Sequence, residues 1–215
     1  LRRYAEIKIS AEFMREHFYL GLPLIITTLI SGSAQYIDGI IVSAVYRDPG
    51  WFAWFRYGAK EFPLAVMLAN GLNNAMLPEF STRTQMKESL AKIKEKSRGL
   101  MHICFPSTML IMLLARWIYP RMFTPEFQKS ADIFLLYSLL VIPRTVFPHT
   151  IIVGRKKTHI TMIAAILEIG LNIPFSLLMI KWGYNIVGVA LATFVVYLIS
   201  RLYLIIYVWV KMKIR

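Results

Sequence analysis

Apolar runs of about twenty residues recur along the whole chain, separated by short stretches where charges and turn residues gather. Cutting at those stretches leaves spans near 19–44, 57–80, 99–119, 131–153, 159–181 and 186–209. At 1.5 Å per helical residue each is long enough to cross the ~30 Å hydrocarbon layer of a bilayer. The pattern predicts an all-α integral membrane protein with about six transmembrane helices over 19–210. A cytoplasmic or interfacial arm over 1–18 precedes them, and a basic cytoplasmic tail over 211–215 follows. The first residue is Leu1, and no cleavable signal precedes the first apolar run, so an absent upstream portion is expected.

Composition supports the bilayer as solvent, because 57% of the 215 residues are hydrophobic, more than a soluble core of this size requires. The formal charge of +13 does not point to nucleic acid, because the cations sit between apolar runs rather than on a soluble face. Their distribution sets an orientation instead. The arm, the connectors at 83–98 and 155–157, and the tail carry sixteen Lys and Arg on one side of the spans, against five on the other: Arg47, Arg56, Arg121, Lys129 and Lys181. The positive-inside rule places both ends in the cytoplasm of a multi-pass inner (plasma) membrane protein. Trp51, Trp54, Trp117, Tyr119, Trp182 and Tyr184 gather at the opposite ends, as interfacial aromatics do. Segment 87–98 alternates acid and base at helical spacing, which fits a surface-lying or linker helix. The arm offers Ile7, Phe13, Met14 and Phe18 to lipid.

Ionisable groups deep in spans mark a wet, protein-lined interior, since each costs at least ~2.5–3.5 kcal/mol near the bilayer centre. Arg144 and Glu168 sit closest to mid-span. Arg144 lies between Pro143 and Pro148, which interrupt backbone hydrogen bonding and free carbonyls for water, a cation or a substrate. Glu168 and Asn172 share one helical face, with Pro174 beyond. They suit either a coupling H⁺ or Na⁺ site or a structural pairing of Glu168 with Arg144 or Arg201. Lys60, Gly71, Asn74 and Pro78 fall in one helical direction, flanked by Asn70 and Asn73, and form an amide stripe headed by an ammonium. Such a stripe fits a hydroxyl-rich or anionic ligand, or interhelical hydrogen bonding. Asp38 and Glu61, read at the outer ends of the first two spans, are expected within reach of Lys60 as an ion-pair or coupling-ion set.

Other residues carry less chemistry. Arg116 and Asp132 lie near span boundaries, the small residues of 183–193 permit close helix approach, and Cys104 reads as an apolar filler. His17, His102, His149 and His159 are too scattered to form a metal site, and no cofactor is expected. No Gly-rich Lys-Ser/Thr phosphate loop is present.

Tyr57-Gly58-Ala59, then Leu77-Pro78-Glu79-Phe80-Ser81, Gly154-Arg155-Lys156-Lys157, Asn172, Gly183 and Gly188-Val-Ala-Leu-Ala-Thr193 follow one another in an order that resembles the second lobe of the multidrug/oligosaccharidyl-lipid/polysaccharide exporter superfamily. The resemblance covers most of the chain. It implies one six-helix lobe of a two-lobed exporter, with an absent N-terminal lobe as partner and no enzymatic chemistry. Within the superfamily, Lys60 and Arg144 favour the branch that flips polyprenyl-linked saccharides for cell-surface polysaccharide or lipopolysaccharide synthesis. On that reading Lys60 and Arg144 contact the headgroup phosphate and Asn70 and Asn74 the saccharide, while Glu168 serves the coupling ion. A multidrug or organic-cation antiporter of the same superfamily is the alternative. A membrane-embedded glycosyltransferase or polymerase would need a larger extramembrane loop or an acidic metal motif than this sequence supplies.

Overall fold

The computed structural model describes residues 11–81 and 86–212, and among these the regular structure is helical throughout. The first ten residues of the arm, Arg83 and its neighbours in the 82–85 connector, and the tail beyond Met212 lie outside the described residues. Among the described residues nine α-helices follow one another: α1 Ala11–Tyr46, α2 Pro49–Gly58, α3 Pro63–Met76, α4 Met86–Met122, α5 Gln128–Ser138, α6 Val141–Arg144, α7 Pro148–Gly154, α8 Thr158–Lys181 and α9 Asn185–Lys211. Short 3-10 turns, Pro78–Phe80 and Pro125–Phe127, lead out of α3 and into α5. By length and apolar composition α4, α8 and α9 can each cross a membrane, and the bent series Pro125–Arg144 with Pro148–Gly154 makes a fourth candidate.

The expected second and fourth spans are broken helices, and proline chemistry explains both interruptions. The second begins earlier than position 57, because Asp48 caps α2 by accepting from the Gly50 amide at 2.8 Å and Pro49 occupies the first helical turn. Residues 59–62 then leave the helix before Pro63 restarts it as α3. In the fourth, Pro143 and Pro148 bracket a break at 145–147 with a 48° bend between the flanking helices. Ser97 of α4 clips this break, donating to the Thr145 carbonyl at 2.5 Å.

The charged segment 87–98 is neither a separate surface helix nor a linker. It is the first part of α4, whose 37 residues extend about 55 Å, well beyond the hydrocarbon. Lys92 pairs with Glu79, and Ser89 donates to the Glu79 carbonyl at 3.2 Å, fastening this extension to the end of the second span.

Among the described residues two large apolar clusters hold the lobe, and a smaller third one of Ala115, Ala131 and Phe134 joins α4 to α5. Toward the cationic side Met76, Phe80, Ile93, Ile152, Ile160 and Leu204 join α4, α7, α8 and α9 to the end of α3. Toward the aromatic side Val42, Phe55, Ile133, Ile186 and Val189 join α1, α2, α5 and α9. Closest approach depends on glycines. A Cβ on Gly58 would lie 2.4 Å from the Ser130 carbonyl oxygen of α5, and one on Gly154 would lie 2.6 Å from Cβ of Phe80. Gly188 sits against Met179 in the same manner, where the small-residue run predicted close packing.

Gly58→Ala and Gly154→Ala are expected to lower the thermal unfolding midpoint of the detergent-solubilised protein, by overpacking worth about 1–3 kcal/mol. Gly170→Ala, where added volume meets nothing within 4 Å, is expected to leave the midpoint unchanged or raise it.

Candidate functional site

Polar residues collect between the two apolar clusters. On α8, Glu168 and Asn172 lie between Ala164 of one cluster and Ile180 at the edge of the other. On α9, Thr193, Tyr197 and Arg201 lie between Ala190 and Leu204. Each set is spaced by four residues, so each lies along one helical face. The helices run antiparallel with the two faces in contact: the Asn172 side-chain amide donates to the Thr193 hydroxyl at 3.0 Å, and Ser176 donates to the Asn172 carbonyl oxygen at 3.3 Å.

The two helix breaks meet at this belt. Arg144, the last residue of α6, directs its Nε and Nη2 at the carboxylate of Glu61, in the 59–62 break, forming a two-pronged ion pair with both side chains about one-fifth exposed. Glu61 therefore follows ten helical residues of α2 and lies at an interior break, not at an outer start. Its partner is Arg144 rather than Lys60. Tyr197 lies between two guanidinium groups, with its ring centroid 5.8 Å from Arg144 Cζ and 4.8 Å from Arg201 Cζ. Arg201 also donates to the Tyr197 hydroxyl.

Asp38 of α1 sits beside this group and does not reach Lys60. It is 1% exposed, and its Oδ2 accepts from Tyr137 at 2.5 Å and from Thr193 at 2.6 Å. Among the described residues no hydrogen-bond partner meets its Oδ1, and an unpaired buried oxygen carries a substantial desolvation cost. Asp38, Tyr137, Thr193 and Asn172 thus bring hydroxyl, amide and carboxylate oxygens from four helices together.

Two cavities open on the belt. One, about 210 Å³, includes Thr27, Asn70, Asn73, His149, Thr150 and Ser200 in its wall; the other, about 320 Å³, includes Asp38, Glu61, Tyr137, Asn172, Thr193 and Tyr197. Arg144, Glu168 and Arg201 line both. Each volume suits a phosphate-sized group or an ion with water, near or below the lower end of pockets for larger ligands.

Of the residues singled out in the sequence, Arg144, Glu168, Asn172, Asp38, Glu61 and Asn70 converge here. Lys60 and Asn74 line neither cavity and are exposed. Asn73 takes the place expected for Asn74, accepting from the Thr150 hydroxyl. Glu168 shares its cavities with both Arg144 and Arg201, while Arg144 closes its ion pair on Glu61. Tyr137, Thr193 and Tyr197 are site residues that the sequence pattern did not single out. The four-residue spacing of Thr193, Tyr197 and Arg201 in an otherwise apolar helix is the available signal for two of them.

Comparison with known proteins agrees with this architecture. No curated protein matches significantly. Among solved structures, a transporter of the MOP superfamily from Pyrococcus furiosus, described as having a binding pocket of reversed polarity, superposes with a TM-score of 0.72 at 18% identity, over 91% of this chain and 45% of that one. An outward-facing multidrug resistance MATE family transporter of the same superfamily gives 0.73 at 18% identity, over 92% and 45%. A MATE structure in the bent conformation gives 0.73 at 18% identity, over 94% and 46%. The chain thus has the fold of one lobe of these transporters and spans less than half their length. The sequence model of the lipid II flippase MurJ matches residues 5–214, nearly the whole chain, and the protein therefore belongs to the MurJ family.

Proposed function

We propose that this lobe forms half of a flippase that carries a polyprenyl-diphosphate-linked saccharide across the membrane by alternating access, together with an N-terminal lobe. The observation that carries the reading is Arg144, held at the meeting of two helix breaks and lining both polar cavities. Of its five guanidinium donors, Glu61 takes two sites, and the remainder are available to an anion in the cavities. The family description, lipid II flippase, favours an anionic lipid-linked cargo over an organic cation. The headgroup phosphate sits at Arg144 and the saccharide extends along the exposed amides Asn70 and Asn74 of α3, with the exposed ammonium of Lys60 available from the preceding break. The polyprenyl tail remains in lipid. Transport requires no covalent step: the cargo stabilises one arrangement of the lobes and its release permits the other.

Coupling is assigned to the neighbouring oxygen cluster. The free Oδ1 of Asp38, with the hydroxyl of Thr193 and the side-chain carbonyl of Asn172 close by, suits H⁺ or Na⁺, both of which satisfy a buried carboxylate. Glu168 lines the cavity that this cluster shares with Arg144 and links cation occupancy to the cargo site. In this arrangement both chain ends face the cytoplasm of the inner membrane.

Flipping of a fluorescent polyprenyl-diphosphate oligosaccharide by the full-length protein in liposomes separates an anion site from a purely structural ion pair. Arg144→Ala is expected to lower apparent cargo affinity roughly ten- to hundredfold, the scale of a lost charge-assisted hydrogen bond. Glu61→Gln, which removes a competitor for the same guanidinium, is expected to raise it. Equal loss in both correctly inserted variants, or drug extrusion without lipid flipping, is the result that defeats the proposal.

In the same liposomes, Asp38→Asn is expected to abolish the dependence of flipping rate on an imposed Na⁺ or pH gradient, and Thr193→Val to weaken it. Retention of the full gradient response by Asp38→Asn removes the cluster from coupling.

Orientation is tested by thiol labelling in intact cells, where buried Cys104, the one cysteine of this chain, leaves a quiet background once any cysteine outside this chain is replaced. A cysteine replacing Lys129 is expected to react with an impermeant maleimide from outside, and one replacing Lys157 only after permeabilisation.

A further inference from the structure

Two further concavities lie on the cationic side of the lobe, the nearer one sharing Val146 and Phe147 with the wall of a belt cavity. One is a bowl of about 470 Å³ whose charged lining is Arg155, Lys156, Lys157 and Lys211, with no acidic side chain among the described residues of its wall. The other is a groove of about 660 Å³ between α4, α7 and α9, walled by Ile93, Phe147, Ile151, Val208 and Trp209, with Lys94 and Ser97 its polar members.

The same helices carry both concavities. Leu90 and Met86 on α4, Ile151 and Gly154 on α7, and Val208 and Lys211 on α9 are three or four residues apart, with the first of each pair in the groove and the second in the bowl. The bowl therefore lies one helical turn beyond the groove along a single face. Arg155 is half-buried, Lys157 and Lys211 are exposed, and among the described ion pairs no carboxylate engages any of the three. The N-terminus of α8, at Thr158, adds its partial positive charge to the same place.

Cations grouped one turn beyond an apolar trough match an amphiphile with an anionic head. A soluble anion makes no use of the groove, and an apolar helix makes no use of the bowl. We propose that this face binds an anionic glycerophospholipid of the adjoining leaflet, with its phosphate on Arg155, Lys157 and Lys211 and an acyl chain along Ile151, Val208 and Trp209. Basic pockets between membrane helices hold lipid headgroups on this electrostatic basis. The groove also includes Phe147 and Pro148, so the seated chain touches the break that presents Arg144.

Trp209 provides the probe, being 57% exposed in the groove wall while the other four tryptophans can be replaced. The full-length protein carrying Trp51→Phe, Trp54→Phe, Trp117→Phe and Trp182→Phe, and stripped of any tryptophan outside this chain, is reconstituted in phosphatidylcholine with dibrominated phosphatidylglycerol or dibrominated phosphatidylcholine. The anionic lipid is expected to quench Trp209 at lower mole fraction than the neutral one. Arg155→Gln, Lys157→Gln and Lys211→Gln are expected to reduce this selectivity roughly fivefold per cation removed. Equal quenching by the two lipids overturns the proposal, as does loss of selectivity on adding millimolar inorganic phosphate or an equal mole fraction of polyprenyl phosphate. Should the tryptophan replacements unfold the protein, native mass spectrometry of the unsubstituted protein takes the place of quenching. Preferential retention of phosphatidylglycerol, lost in the triple glutamine variant, supports the site, and equal retention of both lipids overturns it.

Discussion

The ion pair between Arg144 and Glu61 joins two places where the backbone has given up its helical hydrogen bonds. A broken helix inside a membrane leaves carbonyl and amide groups in need of partners, and a lone guanidinium or carboxylate at that depth is costly. Here each problem helps to answer the other. Pro143 and Pro148 create the break that presents Arg144, and residues 59–62, ahead of Pro63, create the one that presents Glu61. The two-pronged contact fixes the breaks against one another. Removing either partner leaves the other charge uncompensated, so the pair constrains the sequence of both spans.

Around this pair the lobe divides into layers. Apolar packing on the cationic and aromatic sides provides adhesion, with a belt of hydroxyls, amides and charges between them. The belt is registered by α8 and α9, whose four-residue polar stripes face each other antiparallel, so that Asn172 meets Thr193 and Ser200 reaches the Ala164 carbonyl one cluster away. A one-residue slip between these helices would turn the stripe toward apolar neighbours. The register is therefore set by the same polar residues for which a function is proposed.

The sequence makes the spans legible because a bilayer demands long apolar runs, and it makes Arg144, Glu168 and Asn172 conspicuous because charge and amide at mid-span are expensive. It does not reveal which residue meets which. Proximity in sequence sets Glu61 against Lys60, whereas Glu61 pairs with a residue 83 positions away across a break whose start depends on the Asp48 cap of α2. Asn74 and Asn73 differ by one helical step of about 100°, and only the packing of α3 beside α7 decides that Asn73 faces Thr150. Tyr137 stays hidden because a tyrosine in an apolar run reads as packing until a buried carboxylate such as Asp38 is placed beside it.

Those placements also give the proposed coupling a physical basis. Asp38 is bonded to α5 through Tyr137 and to α9 through Thr193, while Arg144 follows α5 by a few residues and stacks near Tyr197 on that same α9. The carboxylate and the guanidinium thus share two supporting helices as well as a cavity. A cation bound at Asp38, as proposed, would change the electrostatic balance of a low-dielectric space already containing Glu61, Glu168, Arg144 and Arg201. The proposed anion at Arg144 would change it in the opposite sense. Sites that bias one shared set of charges and helices are coupled reciprocally, and the strength of that coupling is limited by the difference between their affinities in the two arrangements.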